Sequence, residues 1–141
     1  MEQKIKERID ERLSKLDSCL LSLKKMTPST YEKYRDSNEG VKWDLERGLQ
    51  LVSEIEVNII VLLSKALQKG PVGEESSLIM SVSKELGEGV IKEIKERRKL
   101  RNELVHAYSI NNDEHVFDQA ADTSDVDGFK QSLRKLLEKL R

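Results

Sequence analysis

Between Val41 and Leu63 apolar residues return every three or four positions: Val41, Leu45, Leu49, Val52, Ile55, Ile59, Leu62 and Leu63. That is the spacing of one face of an α-helix, and it predicts a long helix from about Asn38 to Gln68. From Ile59 to Leu63 the apolar residues become consecutive, so the helix must be covered nearly all round there. The rest of the chain must therefore supply several partners for one central helix. It does so with the same period: Ile5, Ile9, Leu13, Leu16, Leu20 and Leu23 predict a first helix from about Glu2 to Met26, ended by Thr27-Pro28-Ser29-Thr30. No stretch shows the alternation of a strand.

Tyr31 to Tyr34 fits a short turn that returns aromatic side chains to the core, and Asp36-Ser37-Asn38 offers caps for the central helix. Lys69 to Gly73 reads as a loop, and Glu74 to Leu86 as a third helix with Leu78, Ile79, Val82 and Leu86 inward. After Gly87 and Gly89 comes a helix from about Glu88 to Tyr108. Ser109 to Asp127 reads as an acidic loop anchored by Val116 and Phe117. Val126, Phe129, Leu133, Leu136, Leu137 and Leu140 predict a last helix over about 126–140, capped by Asp125 or Asp127. The expected architecture is an all-α, up-and-down bundle of about five helices, and residues 1–141 fit one domain with one core.

Composition narrows the function classes. Net charge is −1, so no global field favours nucleic acid or membrane. The longest apolar run is too short to span a bilayer, the charged N-terminus has no apolar signal region, and Cys19 is the only cysteine. A soluble, cytoplasmic protein without an intramolecular disulfide is expected. There is no phosphate-binding glycine loop and no Cys/His zinc spacing. His115 among acids has no metal-ligand spacing around it, so no metal site is expected.

One segment departs from ordinary helix chemistry. In Lys99-Leu100-Arg101-Asn102-Glu103-Leu104-Val105-His106-Ala107-Tyr108, the apolar stripe leading in is Val90, Ile94, Leu104 and Val105. Arg101 lies seven residues after Ile94 and seven before Tyr108, so it points where an apolar residue is expected. A cation there needs a partner. Glu54, Glu56 and Asn58 of the central helix face solvent or meet this helix, with Glu54 or Asn58 as hydrogen-bond partners for Arg101. Asn102 and His106 are four apart and share a face, whereas Arg101 and His106 are about 140° apart on an ideal helix. Two copies across a dimer seam, or a bend near His106, would bring both to one ligand. Residues 92–101 carry six basic side chains against two acidic ones, a local +4, while residues 113–127 carry six acids and no Lys or Arg. The basic segment suits an anionic ligand, or else a solvated face with pairs such as Glu93–Arg97.

These residues carry a resemblance. Arg101-(x)4-His106-x-Tyr108, with Asn102 after the arginine, resembles the R-x4-H-x-Y signature of the HEPN superfamily, in particular the HepT toxins of HepT–MntA toxin–antitoxin systems. Pro28-Ser29-Thr30-Tyr31-Glu32 is similar to the proline-led turn of that family. Glu46 to Glu54 is similar to its E-R-x-L-Q-L-x-x-E central-helix segment, and Leu86 to Ile91 to its bridge into the motif helix. Asn58 stands where the family often has aspartate, and Ser109 where an aromatic residue is common.

The resemblance implies a HEPN-like bundle acting as a homodimeric, metal-independent endoribonuclease that needs no cofactor, with its cleft at the dimer seam. Arg101 and His106 would be catalytic. His106 would move the proton of the RNA 2′-OH or of the leaving 5′-oxygen; histidine ordinarily titrates at about pH 6.5. Arg101 would offset charge on the phosphate, and Asn102 would orient the imidazole or bind phosphate. Tyr108 would be the residue to which an MntA-like nucleotidyltransferase antitoxin adds AMP. Two further readings stand beside this one. One is a non-catalytic nucleotide- or substrate-binding subunit that partners a minimal nucleotidyltransferase. The other is a helical interaction protein in which Arg101 pairs with Glu54 or Glu56, His106 packs in the core and Tyr108 ends a helix.

Overall fold

The computed structural model describes residues 2–70, 73–106 and 113–140. Among them the regular elements are all helical, and there are eight. The additional elements beyond the expected five or so are short. They are the aromatic turn, a break in the third helix, and a helix within the acidic segment.

The first helix, α1 (Gln3–Met26), buries Ile9, Leu13, Leu16 and Leu23. It stops because Thr27 precedes Pro28 and is held extended (φ −72°, ψ 122°). The Thr27 hydroxyl and N–H both donate to the Leu23 carbonyl, at 2.5 and 2.9 Å, and so satisfy an end group of the helix. Thr30 then caps α2 (Tyr31–Arg35) by accepting from the Lys33 N–H, and α2 buries Tyr34 as expected.

The central helix is α3 (Glu39–Ala66), capped by Asn38, whose side chain accepts from the Val41 N–H at 3.0 Å. Its buried residues include Leu45, Val52, Ile55, Ile59, Ile60 and Leu63. It touches α1 and α6, together with α4 and α7, which explains its breadth of apolar surface. Helix α1 packs tightly at Gly48: a Cβ there would lie 2.6 Å from Leu23 Cδ2, so a larger residue would make the Leu23 side chain shift.

The expected third helix is broken in two, α4 (Glu75–Ser81) and α5 (Ser83–Leu86). The Ser81 hydroxyl donates to the Leu78 carbonyl at 2.6 Å, a local bond that competes with continuation of the helix. Val82 lies at the break yet remains buried with Ile79 and Leu86. Gly87 links α5 to α6 at φ +99°, a conformation for which glycine is the default residue.

Helix α6 (Glu88–His106) buries Ile91, Ile94, Arg97 and Leu100, one residue in three. Three residues turn about 300°, so the inward face drifts by about 60° at each step. The drift follows the neighbours, since α3, α4, α5 and α8 all contact this helix. Of the expected stripe it keeps Ile94 alone. Val90 and Leu104 are half-buried, and Val105 is 56% exposed.

The acidic segment is not a loop throughout. Residues 113–121 form α7 (Asp113–Ala121), which buries Val116, Phe117 and Ala120. Phe117 lies against the rings of Tyr31 and Tyr34, with centroids 6.0 and 5.9 Å away. The last helix, α8 (Ser124–Lys139), begins earlier than expected. Asp125 and Asp127 are therefore inside its first turn, and Asp122 accepts from the Ser124 N–H instead. The Ser132 hydroxyl ties α8 to the carbonyl of Leu86 at 2.7 Å. No helix among the described residues is long and apolar enough to cross a membrane.

Candidate functional site

The described part of the motif occupies the last two turns of α6. Arg101 and Asn102 are half-buried and His106 is exposed. Tyr108 lies outside the described residues. Helix α6 remains α-helical through His106, so no bend before that residue brings Arg101 and His106 together. They stay about 140° apart around the axis.

The hydrogen bonds of Arg101 go to residues other than those expected on the central helix. Its Nη2 donates to Glu75 Oε1 at the start of α4, and its Nε and Nη2 donate to Asn102 Oδ1 at 3.3 and 3.1 Å. The expected partners are elsewhere: Glu54 pairs with Arg47 at 3.6 Å, and Asn58 is exposed. Glu75 also accepts from Arg98, whose Nε is 2.8 Å from the same Oε1. One carboxylate oxygen is thus shared by two guanidinium groups. Side-chain exposures of 13% for Arg101, 28% for Arg98 and 32% for Glu75 place the cluster at the rim of the core. Burial alone would raise the Glu75 carboxyl, but hydrogen bonds and charge from Arg101 and Arg98 outweigh it and hold the carboxyl below its ordinary range.

The deeply buried cation is Arg97, one turn earlier. It grips Glu56 through two bonds, Nε to Oε1 at 2.7 Å and Nη2 to Oε2 at 2.6 Å, and donates from Nη1 to Asp125 at 2.8 Å. This corrects two expectations. Arg97 is not on a solvated face paired with Glu93, and the α3 carboxylate that meets α6 does so through Arg97 rather than Arg101. Burial pushes the Glu56 carboxyl up, while its bonds to Arg97 oppose that shift. The cluster joins α3, α6 and α8, and its two-to-one excess of carboxylates leaves no surplus positive charge for an anion.

Spacing singled out neither Arg98 nor Glu75, and it marked Arg97 only as a surface partner of Glu93. Two signals for the buried pair were present. Arg97 lies three residues after Ile94 and three before Leu100, and Glu56 lies four after Val52 and four before Ile60. No local pattern marks Glu75, because it reaches Arg98 and Arg101 only through the packing of α4 against α6.

His115 is exposed on α7, and among the described residues no three His, Cys, Asp or Glu side chains gather as a metal site would need. No protein-family model matches the sequence, and curated proteins provide no match.

Proposed function

We propose that this chain is a metal-independent endoribonuclease whose site is completed by a second copy of itself. The observation that carries this reading is the grouping at the end of α6. There a guanidinium is positioned by an amide and a carboxylate, and an exposed imidazole stands one turn beyond the amide. Around it two arginines share a single carboxylate, which leaves one positive charge over for a phosphate. The angle between Arg101 and His106 supports a shared site, since the facing surface of a partner copy can supply what one helix cannot.

In this reading RNA brings its own nucleophile. The 2′-oxygen forms a bond to the neighbouring phosphorus, and the bond from phosphorus to the 5′-oxygen breaks. One imidazole, His106 or its counterpart in the second copy, takes the 2′-OH proton, and the other returns a proton to the leaving 5′-oxygen. Arg101 offsets the charge that develops on the non-bridging phosphate oxygens, and Asn102 fixes the guanidinium that does so. The products carry a 2′,3′-cyclic phosphate and a 5′-hydroxyl. Tyr108, two residues beyond His106, is in this reading the acceptor of AMP from an MntA-like nucleotidyltransferase, the added phosphate repelling RNA from the cleft.

The test is cleavage of a mixed RNA in EDTA by the wild type and by His106→Ala. Wild-type cleavage to cyclic-phosphate ends, reduced about 100-fold or more in the variant, is expected for loss of a general acid or base. Ends bearing 3′-hydroxyl groups would overturn the mechanism. No cleavage by a folded, dimeric, unmodified wild type would leave a binding subunit as the better reading.

A further inference from the structure

We propose that Arg98 and Arg101 together form a subsite for one backbone phosphate of single-stranded RNA, and that Glu75 occupies this subsite as an internal competitor. The inference rests on the reading that RNA meets the protein at the end of α6, and it adds two residues outside the R-x4-H motif.

Three observations carry it. First, Glu75 Oε1 accepts from both Arg98 Nε and Arg101 Nη2. An anionic oxygen bridging two guanidinium groups is what a non-bridging phosphate oxygen would supply, so the carboxylate stands in for the ligand. Second, Arg98, Asn102 and His106 follow one another at intervals of four on α6. Such residues form one row along a helix, and Arg98 is about 12 Å from His106 along the axis. The row extends the motif towards the N-terminus of the helix, while Arg101 joins it sideways through its bonds to Asn102.

Third, the cluster is more open than its buried neighbour, with Arg101, at 13% exposure, its most enclosed member. Arg98 and Glu75 are each about three-tenths exposed (28% and 32%), in contrast to Arg97 and Glu56 at 6% and 0%. A phosphate entering here releases a carboxylate to water rather than leaving it buried. The shared carboxylate holds both guanidinium groups in place before RNA arrives and competes with it for them.

The experiment measures binding of the full-length protein to a labelled single-stranded RNA with 2′-O-methyl sugars, which has no free 2′-hydroxyl and is not cut. Glu75→Gln should tighten binding about fivefold, and Arg98→Ala should weaken it about fivefold, the scale of one partly exposed charge contact. Arg98→Ala should also reduce the slope of log affinity against log salt by about 0.7, the value for one phosphate contact on a single strand. Charge-matched controls on α8, Arg134→Ala and Glu138→Gln, should change little. Equal effects of Arg98→Ala and Arg134→Ala, or of Glu75→Gln and Glu138→Gln, would overturn the subsite, as would a wild type that does not bind the RNA. So would displacement of the RNA by 5′-AMP as efficiently as by unlabelled RNA at equal phosphate concentration, since the site would then take a lone phosphate. Binding shifts of the expected size without cleavage of ordinary RNA would sustain the subsite and remove the nuclease reading. Cleavage with unchanged binding would remove the subsite alone.

Discussion

Helix α6 carries two arginine–carboxylate clusters one turn apart, and they are built in opposite ways. Arg97 is one cation between two carboxylates, Glu56 and Asp125, with its side chain and that of Glu56 almost wholly removed from water. Glu75 is one carboxylate between two cations, Arg98 and Arg101, at a rim that water reaches. The inner cluster ties α3, α6 and α8 together and has no charge to offer an anion. The outer one ties only α4 to α6 and holds a surplus positive charge on the helix that also carries the exposed His106. Similar side chains on one helix therefore separate into a fastener and a candidate binding surface, through burial and the ratio of partners.

The largest effect should come from breaking the inner cluster. Arg97→Ala strands the Glu56 carboxylate in the core and should cost about 3–5 kcal/mol of folding stability, enough to lower the melting temperature by about 10 °C or more. Replacing both buried partners, Arg97→Met with Glu56→Leu, should recover most of that loss, because the expense lies in an unpaired buried charge more than in the missing pair. Urea titration of the single and double variants measures this. A double variant as unstable as Arg97→Ala would mean that the ion pair itself holds the three helices.

The two clusters also show where sequence reasoning succeeds and where it stops. Helices α1 and α3 were legible because their apolar residues keep one face over many turns, and Asn38 announced its own cap. Helix α7 was not, because its few apolar residues stand among acids, and Phe117 is buried by Tyr31 and Tyr34 from a distant part of the chain. The break between α4 and α5 falls beside Ser81, whose hydroxyl bonds the Leu78 carbonyl. On α6, the expectation that Arg101 is the buried cation assumed a straight stripe, whereas the observed face drifts and brings Arg97 inward. The motif itself, Arg101-Asn102 and His106, was legible as a pattern of types. Its charge environment was not, since Glu75 reaches Arg101 from α4, while Glu56, one of the α3 residues expected to meet this helix, does so through Arg97.

An intermediate effect should separate stability from function at the outer cluster. Arg101→Ala leaves Glu75 with Arg98 and with access to water, so it should cost about 1 kcal/mol or less. The same urea titration measures the loss, set against that of Arg97→Ala. A loss as large as that of Arg97→Ala would show the outer cluster to be a fastener too, and would end the contrast between them.

The smallest effect is a matter of acid stability. The arginines hold the Glu75 carboxyl below its ordinary value of 4.5 in the folded protein. In the interval between the folded and unfolded values, the unfolded chain binds more protons, so stability rises with pH there. The contribution of Glu75 is thus complete above 4.5 and is lost as pH falls through the lower, folded value. The Glu75 carboxylate sets the window. At neutral pH, Glu75→Gln should cost only a few tenths of a kcal/mol, because solvent screens a partly exposed pair. The gap between wild type and variant should then close as the solution is taken from neutral pH to an acid pH below the folded value. Urea titrations of both proteins at the two pH values measure the gap. A gap that persists in acid would show that Glu75 contributes through packing, and a gap that widens would show that the arginines do not hold its carboxylate at all.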